Sequence, residues 1–420
     1  MTAMRVCFVT TFYPPFNFGG DGIAVQRLAR GLAKWGCEVT VIHDADAYAA
    51  LTTDPAPAPE AAEPVGIRVI ALRSRWPLAS ALLTHQLGRP IVNSSRLRRL
   101  LDHGRFDAIM FNNVSLVGGP AILGYGGAAA KLYLAHEHWL VCPTHVLWRH
   151  HRELCDRREC IRCQIRYRRP PQWWRYTGML DRALANVDVF IALSEFSRAK
   201  HREFGFPREM KVVPNFLPDP APGADGRSEV VPRPHERPYF LFVGRLEQFK
   251  GLDEVIDLFA TFDAADLVVI GDGTYAAALH RRASRNPRIR FLGRLPGQVL
   301  EPYYRHAVAL IAPSICFESF GMTLIEAFSH GTPVLARRLG SFPEIIERSG
   351  GGILFDSTEG LLHEMQALLG APDRRTVLGQ KGYNAYVQHW SESAVVPQYL
   401  SILEETRWRR STKQSSCARS

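Results

Sequence analysis

Short runs of consecutive apolar residues, each followed by a turn and a helical pattern, constrain the fold of this chain more than any other feature. The first run is MRVCFVTTF at 4–12, and a turn-rich stretch leads from it to Gly19 and Gly20. Apolar residues with helical spacing follow at Ala24, Leu28, Leu32 and Trp35. The next run, EVTVI, covers 38–42. Because strands of parallel sheets are buried on both faces and are apolar throughout, the pattern predicts the opening of a doubly wound α/β domain.

The same alternation continues through the chain in two blocks. Further predicted strands of the first block are IRVIAL (67–72), FDAIMF (106–111), KLYLAH (131–136) and VDVFIAL (187–193). Those of the second block are YFLFVG (239–244), DLVVIG (266–271), IRFLG (289–293), VALIAPS (308–314), PVLA (333–336) and GGILF (351–355). The sequence therefore predicts an α/β fold of two Rossmann-like domains with parallel sheets, which face each other across an interdomain cleft.

The proline-rich segment between the blocks suggests where one domain ends. We expect an N-terminal domain at 1–213, a linker at 214–238, since prolines cannot continue a helix or a central strand, and a C-terminal domain at 239–380. Helices at 381–408 are expected to pack back on the N-terminal domain. Residues 409–420 are basic and Ser-rich, and we expect a frayed tail there.

Charge and hydropathy indicate the kind of partner and compartment. Lys and Arg number 51 against 41 Asp and Glu, a formal net charge of +10, which favours a phosphate-bearing or membrane-anchored partner. No apolar run approaches the roughly 18 residues of a membrane-spanning helix, so a cytoplasmic location is expected, with peripheral contact at the inner membrane face as a further option. The acidic pair Asp44 and Asp46 resembles a metal-binding D-x-D motif, but it lacks the surrounding sequence of the fold in which that motif binds a metal. We expect the pair to lie in a loop.

Groups that bind anions follow three predicted strands of the second block. Arg245 and Lys250 come after one strand, and Gly271 lies in a tight turn after the next. Residues 320–322 lead into the helix MTLIEAFSHG, whose first N–H groups and dipole favour an anion. Ligands of open parallel sheets bind beyond the carboxyl ends of the strands, so these groups would together neutralise a diphosphate without a metal.

Glu318 and Glu326 are separated by eight residues, slightly more than two helical turns. A carboxylate at the helix entrance and another on nearly the same face can address two parts of an elongated ligand such as a nucleotide sugar. A solvated helix face or a buried structural pair explains the same spacing.

Several longer segments resemble the retaining, nucleotide-sugar-dependent glycosyltransferases of family 4, which have the GT-B fold. They are VGRLEQFKGLDEVIDLF (243–259), VVIGDG (268–273), IRFLGRLP (289–296) and FESFGMTLIEAFSHGTPVLA (317–336). In the first block, TTFYPPFNFGGDGIAVQRLARGLAKWGCEVTVI is similar to the family's opening, and LSEFSRAKHREFGFPREMKVVPN (193–215) to its interdomain stretch. The resemblance covers most of the chain and implies transfer of a sugar from a nucleotide-diphosphate donor.

The resemblance also implies which residues hold the diphosphate of the donor. Arg245 and Lys250 would bind it, together with backbone N–H groups around Phe320, Gly321 and Met322. The same donor site would include Gly271. No catalytic metal is expected, because these groups supply the positive charge.

Further roles implied by the resemblance concern the two ends of the donor. Glu326 would bind the ribose, and Glu318 would face the hydroxyls of the transferred sugar near the reacting carbon. Gly19 and Gly20 would let the first-domain loop approach the phosphates closely. His136 would lie near the sugar and support the reaction by hydrogen bonding, although the residue after it is Glu137 where the family often has Asp. A histidine at a strand end is also commonly structural.

Four cysteines crowd into an insertion at about 140–178, and they are Cys142, Cys155, Cys160 and Cys163. Four thiolates suffice for one structural zinc ion. Unliganded thiols, a redox pair or an iron–sulfur cluster are the alternatives that the spacing leaves open.

An arginine-rich stretch overlaps this insertion, with nine arginines against three acidic residues between 149 and 176, and Trp173, Trp174 and Tyr176 at its end. Arginines beside aromatic rings suit an anionic headgroup or a lipid-linked acceptor at a membrane surface. They also fit single-stranded nucleic acid, which we regard as the less favoured partner, and a solvated arginine face is the structural alternative.

The sequence thus predicts a retaining glycosyltransferase that acts on a saccharide or lipid-linked acceptor in polysaccharide or glycoconjugate biosynthesis. A sugar-nucleotide epimerase on the same fold is one alternative. A nucleic-acid or membrane-surface binding module that uses the cysteine- and arginine-rich segment is another.

Overall fold

A computed structural model describes residues 3–52, 63–220 and 232–417 of the chain. The strands are β1 (Arg5–Thr10), β2 (Glu38–Asp44), β3 (Ile67–Leu72), β4 (Ala108–Phe111), β5 (Ala130–Ala135), β6 (Trp148–Arg149), β7 (Glu153–Leu154), β8 (Val189–Ala192), β9 (Met210–Val212), β10 (Tyr239–Val243), β11 (Asp266–Ile270), β12 (Ile289–Phe291), β13 (Leu310–Ala312), β14 (Val334–Arg337) and β15 (Gly352–Phe355).

The α-helices are α1 (Gly20–Lys34), α2 (Ala45–Leu51), α3 (Pro77–Leu87), α4 (Ser94–Asp102), α5 (Cys160–Arg166), α6 (Met179–Leu184), α7 (Glu195–Glu203), α8 (Leu252–Leu258), α9 (Ala276–Ala283), α10 (Gly297–His306), α11 (Met322–Ser329), α12 (Phe342–Ser349), α13 (Thr358–Gly370), α14 (Pro372–Ala385) and α15 (Glu392–Cys417). Short 3-10 turns lie at Pro120–Gly124, Trp173–Tyr176 and Gln248–Lys250, and a π-helical turn at Tyr386–Trp390. In the described part of the chain, none of the helices has the length and hydrophobicity to cross a bilayer.

Two parallel sheets form the two halves of the molecule. The first has the strand order β3-β2-β1-β4-β5-β8-β9 and the second β12-β11-β10-β13-β14-β15. Each sheet has an apolar core on both faces, and strands inside the sheets, such as β4 and β11, are buried along their whole length. The prediction of an α/β fold with two Rossmann-like parallel sheets is therefore confirmed.

The chain passes between the two halves twice, and the two passages lie side by side. The backbone N–H of Leu217 donates to the carbonyl of Trp390 at 2.9 Å, and Leu217 forms a parallel bridge with Ser391. The N–H of Ser393 donates to the Asp219 carboxylate at 2.9 Å. Residues 221–231 of the predicted linker lie outside the described residues.

Helix α15 returns to the first half and packs against α1. Its Val395, Tyr399 and Leu403 are buried in the same core as Val25 and Leu28 of α1.

The prediction of a frayed tail from residue 409 is wrong for the described part, because α15 continues to Cys417. Arginines near this end of α15 pair with the first half. The Nε of Arg407 lies 3.3 Å from Asp107, and the Nε of Arg410 lies 2.7 Å from Asp188.

The prediction that Asp44 and Asp46 lie in a loop is also wrong. Asp44 ends β2 and caps α2, since its carboxylate accepts from the backbone N–H groups of Asp46 and Ala47 at 3.0 and 3.1 Å. Burial is the main cause that raises the pKa of Asp44 to about 7. The side chain therefore has a structural role as a helix cap.

Candidate functional site

The site lies where the strand order of each sheet reverses, between β1 and β4 in the first half and between β10 and β13 in the second. Loops that leave neighbouring strands in opposite directions open a crevice at such a point, and ligands of doubly wound folds bind there. The two crevices face each other. A Cβ atom built on Gly19, the residue before α1, would lie 3.8 Å from the Cδ of Arg245 in the opposite half.

Lys250 and Glu318 form a partly buried ion pair at the second crevice. The Nζ of Lys250 donates to Oε1 of Glu318 at 2.6 Å, and the hydroxyl of Ser314 donates to the same oxygen at 2.7 Å. Burial opposes the charged amine, but the Glu318 carboxylate and neighbouring Cys316 outweigh it, and the pKa of Lys250 is raised. The amine is therefore a fixed cation at neutral pH.

Gly251 is what brings Lys250 to this carboxylate. Its φ is +72°, and a Cβ there would lie 2.2 Å from the carbonyl oxygen of Pro313. A glycine is required because the turn after β10 presses against the loop after β13. The close approach places Lys250 beside Glu318.

Arg245 is the more exposed of the two cations. Its Nη2 donates to Oε1 of Glu247 at 2.7 Å, and the other oxygen of Glu247 accepts from the Thr274 hydroxyl at 2.6 Å. The Arg245 side chain is 51% exposed, so guanidinium donors remain available to a ligand. Its charge also reaches Lys250, where it opposes protonation of the amine. The structure therefore brings the two predicted cations together.

The predicted anion-binding helix start is formed by residues 320–322. Gly321 is the N-cap of α11 and Met322 its first residue, while Phe320 is buried in the core. The first N–H groups of a helix have no acceptor within the helix. A Cβ on Gly321 would lie 3.1–3.2 Å from three apolar side chains, so this turn has no room for a larger residue.

Of the glycines predicted to bind the donor, one is tightly packed and two are open. Gly271, at φ +141°, would place a Cβ 1.8 Å from the Gly244 carbonyl oxygen, so it joins the loops after β10 and β11 by packing. Gly20 has no atom within 4 Å of its Cβ position, and Gly19 lies against Arg245. The N-terminus of α1 thus stays open toward the opposite half.

His136 follows β5 and is held as a neutral ring. Asn112 donates its amide to the Met110 carbonyl at 3.0 Å, so its Oδ1 faces His136 and accepts from Nε2, also at 3.0 Å. Nδ1 then carries the lone pair, and it is buried without a hydrogen-bond partner among the described residues. Burial lowers the pKa of His136 to about 4.

His136 also contacts the second half through its backbone. Its carbonyl accepts from the hydroxyl of Ser319 at 2.6 Å, and the carbonyl of Ser319 accepts from Ser194 at 2.8 Å. Glu137, the residue that departs from the family pattern, pairs with Nδ1 of His145 at 2.5 Å. Glu137 therefore faces the insertion.

Glu326 lies on α11 and contacts α1 and α10. Its Oε1 is 3.4 Å from Nη2 of Arg27 on α1, and its Oε2 accepts from the Tyr304 hydroxyl at 3.1 Å. It lines an interdomain cavity of about 370 Å³ with Tyr386 and Gly297. Because α11 begins at Met322, Glu318 lies in the loop before the helix, whereas Glu326 lies within it.

Two asparagines after β4 are functional candidates that the sequence analysis missed. Asn112 orients His136, and Asn113 donates to Asp21 of α1 at 3.2 Å. Burial and the charge of Glu137 raise the pKa of Asp21 despite this hydrogen bond. A polar pair directly after the buried strand at the crevice was the signal that could have identified them.

The predicted cysteine ligands lie in one small subdomain that contains β6, β7 and α5. Burial and the neighbouring cysteines raise the pKa of Cys155 to about 12, and burial is the main cause for Cys160 and Cys163 as well. The Sγ of Cys142 lies 3.3 Å from the Thr144 hydroxyl. Across the described ranges, no three His, Cys, Asp or Glu side chains are arranged to hold a metal ion. A structural zinc therefore stays a prediction that this geometry does not support.

Comparison with known families agrees with this architecture. The family model described as Glycosyltransferase Family 4 matches residues 18–219, and the model described as Glycosyl transferases group 1 matches residues 227–385. The chain belongs to the family 4 glycosyltransferases and has the GT-B fold. This membership favours glycosyl transfer over the epimerase and binding-module alternatives.

Individual relatives are distant. The lipopolysaccharide core biosynthesis glycosyltransferase LpsE of Rhizobium meliloti is 26% identical over 229 residues, which are 52% of this chain and 64% of LpsE. The chain thus spans less than two thirds of that relative's length. A sucrose-phosphate synthase from Thermosynechococcus elongatus has a TM-score of 0.67 at 19% identity, with 96% of this chain and 98% of that one covered. Anabaena HepE, solved in complex with UDP, has a TM-score of 0.64 at 16% identity, with 96% and 100% covered.

Proposed function

We propose that this chain transfers a sugar from a nucleoside-diphosphate donor to a saccharide or lipid-linked acceptor, with retention of anomeric configuration. The observation that carries the proposal is the meeting of Arg245, Lys250 and the start of α11 at a crevice opposite α1. Two similar proteins support the proposal. LpsE is named as a glycosyltransferase of lipopolysaccharide core biosynthesis, and HepE was solved in complex with UDP. We therefore place the reaction in polysaccharide or glycoconjugate biosynthesis.

The proposed mechanism follows from the charges that develop during transfer. Cleavage of the bond between the anomeric carbon and the diphosphate leaves negative charge on the diphosphate and positive charge on the sugar. Arg245 and Lys250 would stabilise the leaving group. Each preorganised donor of this kind lowers the activation free energy by about 2–4 kcal/mol. The acceptor hydroxyl would attack the same face that the diphosphate leaves, and a diphosphate oxygen would take its proton, so that the configuration is retained.

The remaining site residues would position the sugar and the nucleotide. The lone pair on Nδ1 of His136 would accept a hydrogen bond from a sugar hydroxyl, because a ring with a pKa of about 4 stays neutral throughout the physiological range. Glu318 would accept a second sugar hydroxyl while it stays paired with Lys250. Ribose hydroxyls would replace Arg27 or Tyr304 as the donors to Glu326.

A ligand panel tests the proposal. UDP, GDP, ADP and their sugar conjugates are each added to the protein, and the melting temperature is recorded. Since a ligand at 100 times its Kd stabilises the folded state by about 2.7 kcal/mol, a bound nucleotide raises the transition clearly. Arg245→Ala should abolish most of this shift. Arg282→Ala, which removes an arginine of similar exposure paired with Asp257, should keep it.

Product analysis with the nucleotide that binds separates transfer from its alternative. A transferase releases free nucleoside diphosphate only when an acceptor saccharide is present, whereas an epimerase changes the donor sugar without release. The anomeric coupling constant in the NMR spectrum of the product reports the configuration. If no nucleotide stabilises the wild-type protein, the proposal is wrong.

A further inference from the structure

Helix α3 exposes large apolar side chains to solvent, which helices on a protein surface normally bury. Leu78, Leu82 and Leu87 point into solvent, with 67%, 49% and 41% of their surfaces exposed. The buried face of the same helix carries only small side chains, Ser80, Ala81 and Thr84, which are 2%, 7% and 2% exposed. Surface helices normally bury their apolar stripe, so this face marks a surface that something else covers.

Large aromatic side chains extend this apolar face. Trp76 directly precedes α3, and Trp173 and Tyr176 lie on the 3-10 turn that packs against it, and all three are exposed. The turn is fixed to the helix, because the indole N–H of Trp174 donates to the carbonyl of His85 at 2.9 Å. The aromatic rings and the leucines therefore belong to one rigid patch, which we call the α3 patch.

The chain around the α3 patch is positively charged. Between Glu63 and Asp102 there are seven arginines and no acidic residue, and between Glu159 and Asp181 there are five arginines and no acidic residue. The two segments come together in space, since Arg169 and Arg175 are close enough to His85 to add to the effect of burial on its pKa, which is lowered to about 4. Among the described residues, the two segments that carry the patch thus hold arginines and no carboxylate. The carboxylate of Asp46, on the adjacent helix α2, is buried and accepts from the backbone N–H of Ser74.

We propose that the α3 patch docks on the surface of an anionic lipid bilayer. Leucine and tryptophan side chains insert at the headgroup boundary, where tryptophan and tyrosine are favoured, and arginines attract anionic headgroups. We do not expect a second copy of this chain to cover the patch by self-association. Such a dimer would bring two arginine-rich segments without acidic residues into contact, and these would repel each other. The proposal does not depend on glycosyl transfer.

Vesicle binding tests the docking surface. The full chain is sedimented with vesicles of phosphatidylglycerol and phosphatidylcholine in equal amounts, and with vesicles of phosphatidylcholine alone. We expect at least about tenfold stronger partitioning to the anionic vesicles, weakened by added salt. Trp76→Ser with Leu82→Gln should lower this partitioning by about tenfold or more, since it removes two inserted side chains.

A control variant and a charge variant show whether the loss of binding is specific to the α3 patch. Trp408→Ser with Val377→Gln removes a tryptophan and an aliphatic residue of equal exposure elsewhere, and it should bind as wild type does. Arg75→Ser with Arg89→Ser changes only exposed charges, and it should weaken anionic binding about tenfold even if the first variant folds poorly. Unchanged binding by both patch variants would overturn the proposal. So would wild-type protein that ignores anionic vesicles, or that forms a dimer which the first variant abolishes.

Discussion

Replacement of Lys250 by Met separates the structural role of the ion pair from its proposed catalytic role. The variant leaves Glu318 without its cation, and Glu318 is only 17% exposed. Loss of one partner from a fully buried pair costs about 3–5 kcal/mol, and the partial exposure of both groups reduces this to about 1–3 kcal/mol. We therefore expect a clearly lower melting temperature, by about 2–4 °C for each kcal/mol.

The double variant Lys250→Met with Glu318→Gln then distinguishes the two roles. The neutral amide no longer needs a cation, and the Ser314 hydroxyl still donates to it, so most of the lost stability should return. Turnover should not return. Loss of one preorganised charge at the leaving group costs about 2–4 kcal/mol, which corresponds to a rate lowered by about 30- to 1,000-fold in the single variant. The double variant should be at least as slow, because it also changes the carboxylate that would contact the sugar.

Urea unfolding and release of nucleoside diphosphate are the two assays. Lys211→Met with Glu405→Gln is the control, because this pair has a comparable 2.9 Å contact but is far more exposed, at 48% and 40%. Its stability should change by less than about 1 kcal/mol and its turnover should not change. A double variant with restored turnover would refute the role of Lys250 at the leaving group.

Two further predictions concern stability. Gly271→Ala should destabilise the second half by at least about 3 kcal/mol in a urea titration, because its Cβ would lie 1.8 Å from a carbonyl oxygen. Gly370→Ala is the control, since this position is open, and it should be neutral or slightly stabilising in the same titration. His201 donates Nδ1 to the Ser197 carbonyl at 2.8 Å, and burial lowers its pKa to about 4, so the unfolded chain binds the extra proton below about pH 6.5. Stability from this group is complete above that pH and falls by about 1.4 kcal/mol per unit toward pH 4. His201→Phe should show a shallower loss between pH 6.5 and 4.5, and equal slopes would contradict the assignment.

The strands of both sheets were predictable because burial on two faces leaves a continuous apolar run. FDAIMF and DLVVIG contain β4 and β11, whose residues are all buried. The short strand β9 was missed, since Met210–Val212 has only three residues and follows a helix that the sequence analysis treated as interdomain chain. Length, more than composition, decides whether such a run stands out.

The cations of the candidate site were predictable because each follows a strand of the second sheet. Their carboxylate partners within the same loops were not assigned, although Glu247 lies two residues from Arg245. The contact between Arg27 and Glu326 joins residues 299 positions apart, and no local pattern encodes such a separation. The exposure of the leucines of α3 likewise depends on which face the rest of the domain covers, and the order of residues within the helix does not reveal it.

The adjacent passages of the chain between the two halves, at Leu217 and Trp390, have a mechanical consequence. We expect any relative rotation of the two halves to pivot here, because backbone contacts hold the two passages together. The far rim is joined by side chains, such as the Ser319 hydroxyl on the His136 carbonyl, which separate first as the angle widens. An opening of the cleft for a bulky substrate would therefore break the hydrogen bond between Ser319 and His136 and leave the pairing of the two passages unchanged.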